Sequence, residues 1–347
     1  MTHPTPAPHG SPAHSQPHGH GSHEIGHGVH DSHVHDSHGH DSHGHGAHGH
    51  GAHGHGAHGA HAQESHSAPA LEHEQDGLAE LLDLDAELFA PYIEASMRSI
   101  AEAAGDDVKR IVDLGAGSGT GTFALLKQFP SAQVTAVDSS AQMLEQLTRT
   151  AAAKNLDSRV HALEADAGTS LPGVTDADLV WASASMHHMN DPMATLGIVF
   201  EALRPGGFLA IAELDGMPRF LADDAVPERP GLEGRFREAL TTLHDEEVPH
   251  MGADWGALLA SAGFTLEEER AESLELRPQP GGSAGLYAHG TLSRIRGALV
   301  GRIDPADLEA LDTLVNGGPA DVRRRDDLVV RSTRQLWIAR RPTDSGS

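Results

Sequence analysis

Between residues 108 and 213 the apolar positions alternate between two periods. Short apolar runs at Val108–Leu114, Ala132–Asp138, Arg159–Ala167, Asp176–Ala182 and Leu203–Glu213 read as strands, the first of them buried. The segments Thr122–Phe129, Ser140–Lys154 and Asp191–Leu203 carry apolar residues at helical spacing. Ser139 or Ser140 is suited to cap the second of these helices, and Pro205-Gly206-Gly207 to stop the third. Strand–helix alternation predicts a parallel sheet with helices on both faces, and in such sheets ligands bind at the carboxyl ends of the strands.

Outside this stretch the pattern changes. Leu78, Leu81, Leu82, Leu88, Ile93 and Ile100 alternate with acids at roughly helical spacing, with Pro91 at a helix start or bend. Pro218, Pro227, Pro230 and Pro249 interrupt residues 214–252, where Gly231–Leu243 reads as one helix. A helix over Asp254–Gly263 and a sixth strand over Phe264–Arg277 follow. Residues 280–325 read as a helical insertion, and Asp327–Arg340 as the last strand. The two irregular segments are expected to cover a substrate pocket, with a dimer surface as the equal alternative for residues 280–325.

Residues 1–73 are of a different material. Of the 28 histidines, six (His161, His187, His188, His244, His250, His289) lie beyond residue 73, which leaves 22 before it. A five-residue repeat of Gly, Ala and His runs from residue 44 to 58. So little apolar content cannot offset the entropy of ordering the chain, so the segment is expected to be disordered. Imidazoles in such tracts bind Zn, Ni and related ions through interchangeable geometries. The metal-ligand candidates are His43, His45, His48, His50, His53, His55 and His58. The competing possibility is a low-complexity tail with no selected role. The expected organisation is a tail over 1–73 and one domain over 74–343, with 108–213 as its ligand-binding core.

Charge and composition narrow the partners. The chain has 347 residues, a formal net charge of −26 with histidine neutral, and no cysteine. Such a surface repels nucleic-acid phosphates and anionic lipid. The absence of cysteine excludes disulfides and thiolate chemistry. No run of 18 apolar residues predicts a membrane span, and no signal peptide is evident, so a cytoplasmic location is expected. Oligomeric state stays open.

The candidate chemistry centres on Gly115, Gly117, Gly119 and Gly121, in the turn between the first strand and its helix. Glycine there permits unusual φ values and close backbone approach to a ligand, and the helix that follows aims free N–H groups at it. A dinucleotide fingerprint would read G-x-G-x-x-G, but Thr120 holds its last position. Asp113, two residues before the turn, would repel a pyrophosphate and attract an α-ammonium group. Asp138 ends the second strand, where a carboxylate accepts hydrogen bonds from ribose hydroxyls. Asp166 near the end of the third strand suits an adenine amino group.

This ordered set resembles the class I S-adenosylmethionine-dependent methyltransferases over roughly residues 75–342. The resemblance implies a Rossmann-like, doubly wound, mostly parallel α/β sheet of seven strands. Its last strand hairpins against the sixth. It also implies methyl transfer to a small-molecule acceptor. S-adenosyl-L-methionine would lie against Asp113, Gly115, Gly117, Gly119, Asp138, Ser139, Met143, Asp166, Ala167 and Ala182. Helices before the glycine turn would cap the pocket.

His187 and His188, just past the fourth strand, are candidate general bases for a protonated acceptor, with a positioning role as the alternative. His244, His250, Glu213 and Asp215 are weaker candidates. Amino-methylating enzymes of nucleic acid and protein glutamine resemble one another in an Asn/Asp-Pro-Pro-aromatic motif, but here that place reads Ser183-Ala-Ser-Met186. The broad subgroup with quinone C-methyltransferases and secondary-metabolite tailoring enzymes fits better, though no basic membrane-docking surface favours a quinone. Two rival functions are an NAD-dependent oxidoreductase and a metal-storage protein with a vestigial methyltransferase body.

Overall fold

The computed structural model describes residues 68–277 and 281–343, with side chains from residue 77 onward. The expected tail and its histidine ligands therefore lie outside the described residues, apart from the backbone of 68–73. Two helices, α1 (Ala68–Leu88) and α2 (Ala90–Ala104), open this part, with Pro91 in the first turn of α2. Then come β1 (Arg110–Leu114), α3 (Thr120–Gln128), β2 (Gln133–Asp138), α4 (Ala141–Ala153) and β3 (Val160–Glu164). β4 (Ala177–Ser183), α5 (Pro192–Ala202) and β5 (Leu203–Leu214) complete the core. The remainder is α6 (Leu232–Glu247), α7 (Trp255–Ser261), β6 (Thr265–Leu276), α8 (Ser283–Ala298), α9 (Pro305–Val315) and β7 (Val330–Arg340).

The seven strands form one sheet in the order β3-β2-β1-β4-β5-β7-β6. The first five run parallel, and β7 is antiparallel to both β5 and β6. β6 and β7 pair along their length, from Thr265↔Arg340 to Leu276↔Val330, but α8 and α9 are inserted where a tight hairpin turn would be.

Period-two alternation explains the two cores. On β4, Val180 and Ala182 face α5 and α7, packing with Leu196, Val199, Trp255 and Leu259. Leu179 and Trp181 face the opposite side, against Met97 and Ile100 of α2 and Leu125 and Leu126 of α3. Both faces are covered, so the strand is apolar from Leu179 to Ala182. A third cluster lies in the expected insertions: Leu232, Phe236 and Leu240 of α6 pack with α8, α9, Phe89 and Phe220.

Two local details differ from the sequence expectation. α5 stops at Ala202 and β5 begins at once, so Pro205-Gly206-Gly207 lies inside the irregular start of the strand. A Cβ on Gly207 would come within 2.9 Å of the Ala177 carbonyl oxygen, so glycine lets β5 close onto β4 there. The third strand ends at Glu164, which leaves Asp166 in the loop beyond it.

Candidate functional site

The chain leaves β1 at Leu114 and must turn directly into α3. Gly115 (φ +70°), Gly117 (φ +51°) and Gly119 (φ +100°) all adopt left-handed backbone. That conformation costs an ordinary L-residue roughly 1–2 kcal/mol. Gly121 serves a different purpose: a Cβ there would lie 2.7 Å from Trp181 Nε1 and 3.1 Å from Asp113 Oδ2.

The turn is fastened to β2. Gly115 N and Ala116 N both donate to the Val137 carbonyl at 2.9 Å. Gly117 N donates to Asp138 Oδ2 at 2.9 Å, and Ser140 N donates to Asp138 Oδ1 at 2.8 Å. A carboxylate has about four lone-pair sites, so Asp138 keeps acceptor capacity for ligand hydroxyls. Gly119 caps α3 without a side chain, so the first N–H groups of the helix have no side-chain partner at the cap. A cradle without Cβ atoms, a half-buried carboxylate and a helix N-terminus together fit an adenosyl group bearing ribose hydroxyls.

Helix α1 lies over this turn. Leu82 Cδ1 comes within 3.6 Å of where a Cβ on Gly117 would be, and Ser118 Oγ donates to Asp83 Oδ1 at 3.1 Å. Further along, Asp85 Oδ1 accepts from Arg334 Nη2 at 2.6 Å and from the Tyr287 hydroxyl at 2.7 Å. The Arg334 guanidinium stacks 3.7 Å from the Phe89 ring centre. Burial and the Asp85 charge hold the Tyr287 hydroxyl protonated well above its ordinary range.

Several residues expected at the ligand are buried. The Asp113 carboxylate is buried and accepts from Thr122 Oγ1 at 2.6 Å. Strand parity sends it, like Ile111, to the α2–α3 side, so it does not present itself to an ammonium group at the turn. Burial pushes its pKa up to about 7 against the opposing Thr122 hydrogen bonds. Ala182 is fully enclosed in the sheet core, so its side chain is unavailable to a ligand. Ala167 is also buried against that core.

Met143 is buried in the first turn of α4, where its N–H bonds to Ser140 Oγ, so Ser140 is the cap and Ser139 stays exposed. Asp166 is exposed and accepts from Gly168 N at 2.9 Å and Thr169 Oγ1 at 2.8 Å.

The ends of β4 and β5 make a second centre. Glu213 is buried near the end of β5. Its Oε1 accepts from Ser185 N at 3.2 Å and Met186 N at 2.8 Å, while Oε2 lies 2.6 Å from His187 Nδ1. Glu213 thus fixes the loop after β4, where Ala184 takes φ +48°. His187 is buried; His188 is exposed, its ring tilted 46° against that of His187 with the centroids 4.1 Å apart. Crowding and the neighbouring His187 hold the His188 imidazole below its ordinary pKa. Of the two, His187 is the one tied into the site, through Glu213.

Glu213 was legible as the charge that closes the apolar run Phe208–Ala212. Asp83 and Asp85 carried no such signal. Among the described residues no group of three or more His, Asp or Glu side chains is arranged to hold a metal, and no helix is long and apolar enough to cross a membrane.

Residues 112–209 match the methyltransferase-domain family Methyltransf_12, a span that runs from β1 into β5. A trans-aconitate 2-methyltransferase of Rhodopseudomonas palustris (strain BisB18) is 30% identical, over 51% of this chain and 68% of its own length. The chain belongs to the class I S-adenosylmethionine-dependent methyltransferases. A trans-aconitate 2-methyltransferase of Enterobacter sp. (strain 638) is 34% identical over 42% of this methyltransferase-family chain. The chain spans about half the length of that curated relative, 56%. An O-methyltransferase family protein of Burkholderia thailandensis aligns at 17% identity and a TM-score of 0.46, covering 81% of this chain and 62% of its own.

Proposed function

We propose that this protein transfers a methyl group from S-adenosylmethionine to a small-molecule acceptor. The observation that carries this reading is the clasp between Gly117 N and Asp138 Oδ2, which sets a Cβ-free turn beside a carboxylate with spare acceptor capacity. Asp138 would hold the ribose hydroxyls, Gly115–Gly119 would admit the backbone-close part of the ligand, and Asp166 would reach the adenine edge. When bound, S-adenosylmethionine supplies an electrophilic methyl on a sulfonium. The chain's own residues then have to align the acceptor and exclude water.

His187 is the residue we place at the acceptor. With Nδ1–H donated to Glu213, its Nε2 is left as an acceptor. Toward a phenol or ammonium, Nε2 would take the proton. Toward a carboxylate, already ionised at neutral pH, it would position only. The relatives named trans-aconitate 2-methyltransferase favour a carboxylate. Assays of methyl transfer from labelled cofactor to trans-aconitate and to simple phenols decide between these roles. A His187→Ala variant that loses about 10²–10⁴ in kcat with unchanged cofactor affinity indicates a base. Small, equal losses in both indicate positioning.

A second activity rests on the 22 histidines before residue 74. We propose that this segment binds Ni or Zn through its imidazoles, independently of the methyltransferase body. Deleting residues 1–66 is expected to remove most metal uptake with little change in Tm. Unchanged metal stoichiometry after the deletion contradicts the proposal.

A further inference from the structure

One stripe of α6 lies beside the loop that leaves β5. Glu233, Arg237, Leu240 and His244 recur at helical spacing along it. Arg237 is half-buried, and its Nη1 donates to the carbonyls of Met217 at 2.8 Å and Pro218 at 3.2 Å, in the loop leaving β5. Its Nη2 lies 3.8 Å from where a Cβ on Gly216 would be, three residues past Glu213. Among the described residues Arg237 has no carboxylate within ion-pair distance, and neither ring nitrogen of His244 has a hydrogen-bond partner.

The carboxylates nearby are committed elsewhere. Glu213 serves Ser185, Met186 and His187. Glu233 accepts from Phe220 N at 2.8 Å and Leu221 N at 3.2 Å, and Arg219 lies 3.8 Å from it. Asp215 is exposed, and Asp245 and Glu247 lie on the exposed side of α6. Burial and then Arg219 hold Arg237 below its ordinary pKa, partly opposed by Glu233. Burial, then His187 and Arg237, do the same for His244. The groups therefore share one region, where Arg237 Nη2 and Nε have no partner among the described residues and Glu233, whose charge reaches Arg237, is already held by Phe220 N and Leu221 N. A chain of net charge −26 repels an anionic acceptor unless a local cationic focus offsets the field.

We propose that Arg237 and His244 form an anion subsite that holds a carboxylate of the acceptor while His187 faces the group to be methylated. This rests on the methyltransferase reading and names the acceptor class: a small molecule with at least two carboxylates, one held and one presented. Arg237 supplies the charge-assisted hydrogen bonds through Nη2 and Nε, and Leu240 between the two polar residues gives the subsite an apolar floor.

The test uses the full chain saturated with S-adenosylhomocysteine, titrated calorimetrically with trans-aconitate and with its neutral trimethyl ester. The trianion is expected to bind more tightly than the triester, and to weaken as salt is raised. Arg237→Gln is expected to weaken the trianion about 10- to 100-fold with S-adenosylhomocysteine affinity unchanged. Arg237→Lys should recover part of the loss, and His244→Gln should lose less.

Unchanged trianion affinity in a folded Arg237→Gln protein overturns the proposal and leaves Arg237 as a clip on the Met217–Pro218 loop. If that variant fails to fold, the wild type decides: a triester that binds as well as the trianion, or a trianion affinity insensitive to salt, also overturns it. Failure of the underlying reading shows separately, as absence of S-adenosylhomocysteine binding by the wild type.

Discussion

The two halves of the site are built by different means. At the glycine turn the decisive contacts are short in sequence: Thr122 to Asp113 spans 9 residues and Gly117 to Asp138 spans 21. At the acceptor side Glu213 reaches back 26 residues to His187 and 28 to Ser185, and Arg334 reaches 249 residues to Asp85 on the covering helix. The first half needs one strand–turn–helix unit and its neighbour strand. The second needs the finished sheet and the inserted helices. A ligand shared by a whole family can be held by the local half, while the variable acceptor is read by side chains brought together by insertions.

Breaking the acceptor half at its pin should have the largest effect. Glu213→Ala leaves two buried amides and the His187 ring without their partner. It is expected to cost about 3–5 kcal/mol in urea unfolding. If Glu213 were peripheral, the loss would stay within about 1 kcal/mol, as for an ordinary surface substitution.

The glycine half breaks by geometry. At Gly115 an added Cβ meets left-handed backbone and lies 2.5 Å from Ser185 Cβ, whereas at Gly173 (φ +76°) nothing lies within 4 Å. Gly115→Ala is expected to cost roughly 3 kcal/mol and Gly173→Ala about 1 kcal/mol. Equal costs would mean that Ser185 gives way freely, and that the turn does not lock the two halves together.

Asp113 sharpens the contrast through pH. Its folded pKa of about 7 lies above the ordinary carboxylate value of 3.8. The folded state therefore holds this proton more tightly, and that stabilisation is fully present below pH 3.8 and lost as pH rises through 7. Replacing the group removes the loss. Between pH 5 and 8, Asp113→Asn should gain about 2–3 kcal/mol relative to the wild type, measured by urea melts at both pH values. A pH-independent difference would mean that the carboxylate is solvated.

The same contrast marks what the sequence could tell. The strands, their order along the chain, Asp138 and the three left-handed glycines follow from period and spacing, because each depends on near neighbours. The direction of the Asp113 side chain was not legible. Its place before the glycines suggested a ligand contact, but strand parity turns it under α3, and parity is set by which face each helix covers. The same parity encloses the Ala182 side chain on the other face, in the core with Leu196 and Trp255. Glu213 stood out as a charge at the end of an apolar strand, but its three partners were not legible, and Arg237 looked like any helical arginine. Both depend on the loops after β4 and β5 meeting α6.

The central claim is that the Gly117–Asp138 clasp binds S-adenosylmethionine. Calorimetric titration of the wild type and of Asp138→Ala with S-adenosylmethionine, and with NADH as the competing ligand, tests it most directly. The wild type should bind S-adenosylmethionine and not NADH, and the variant should bind it about 10- to 150-fold more weakly, the scale of lost carboxylate–hydroxyl hydrogen bonds. Unchanged affinity in the variant, or a wild type that takes NADH instead, would contradict the account.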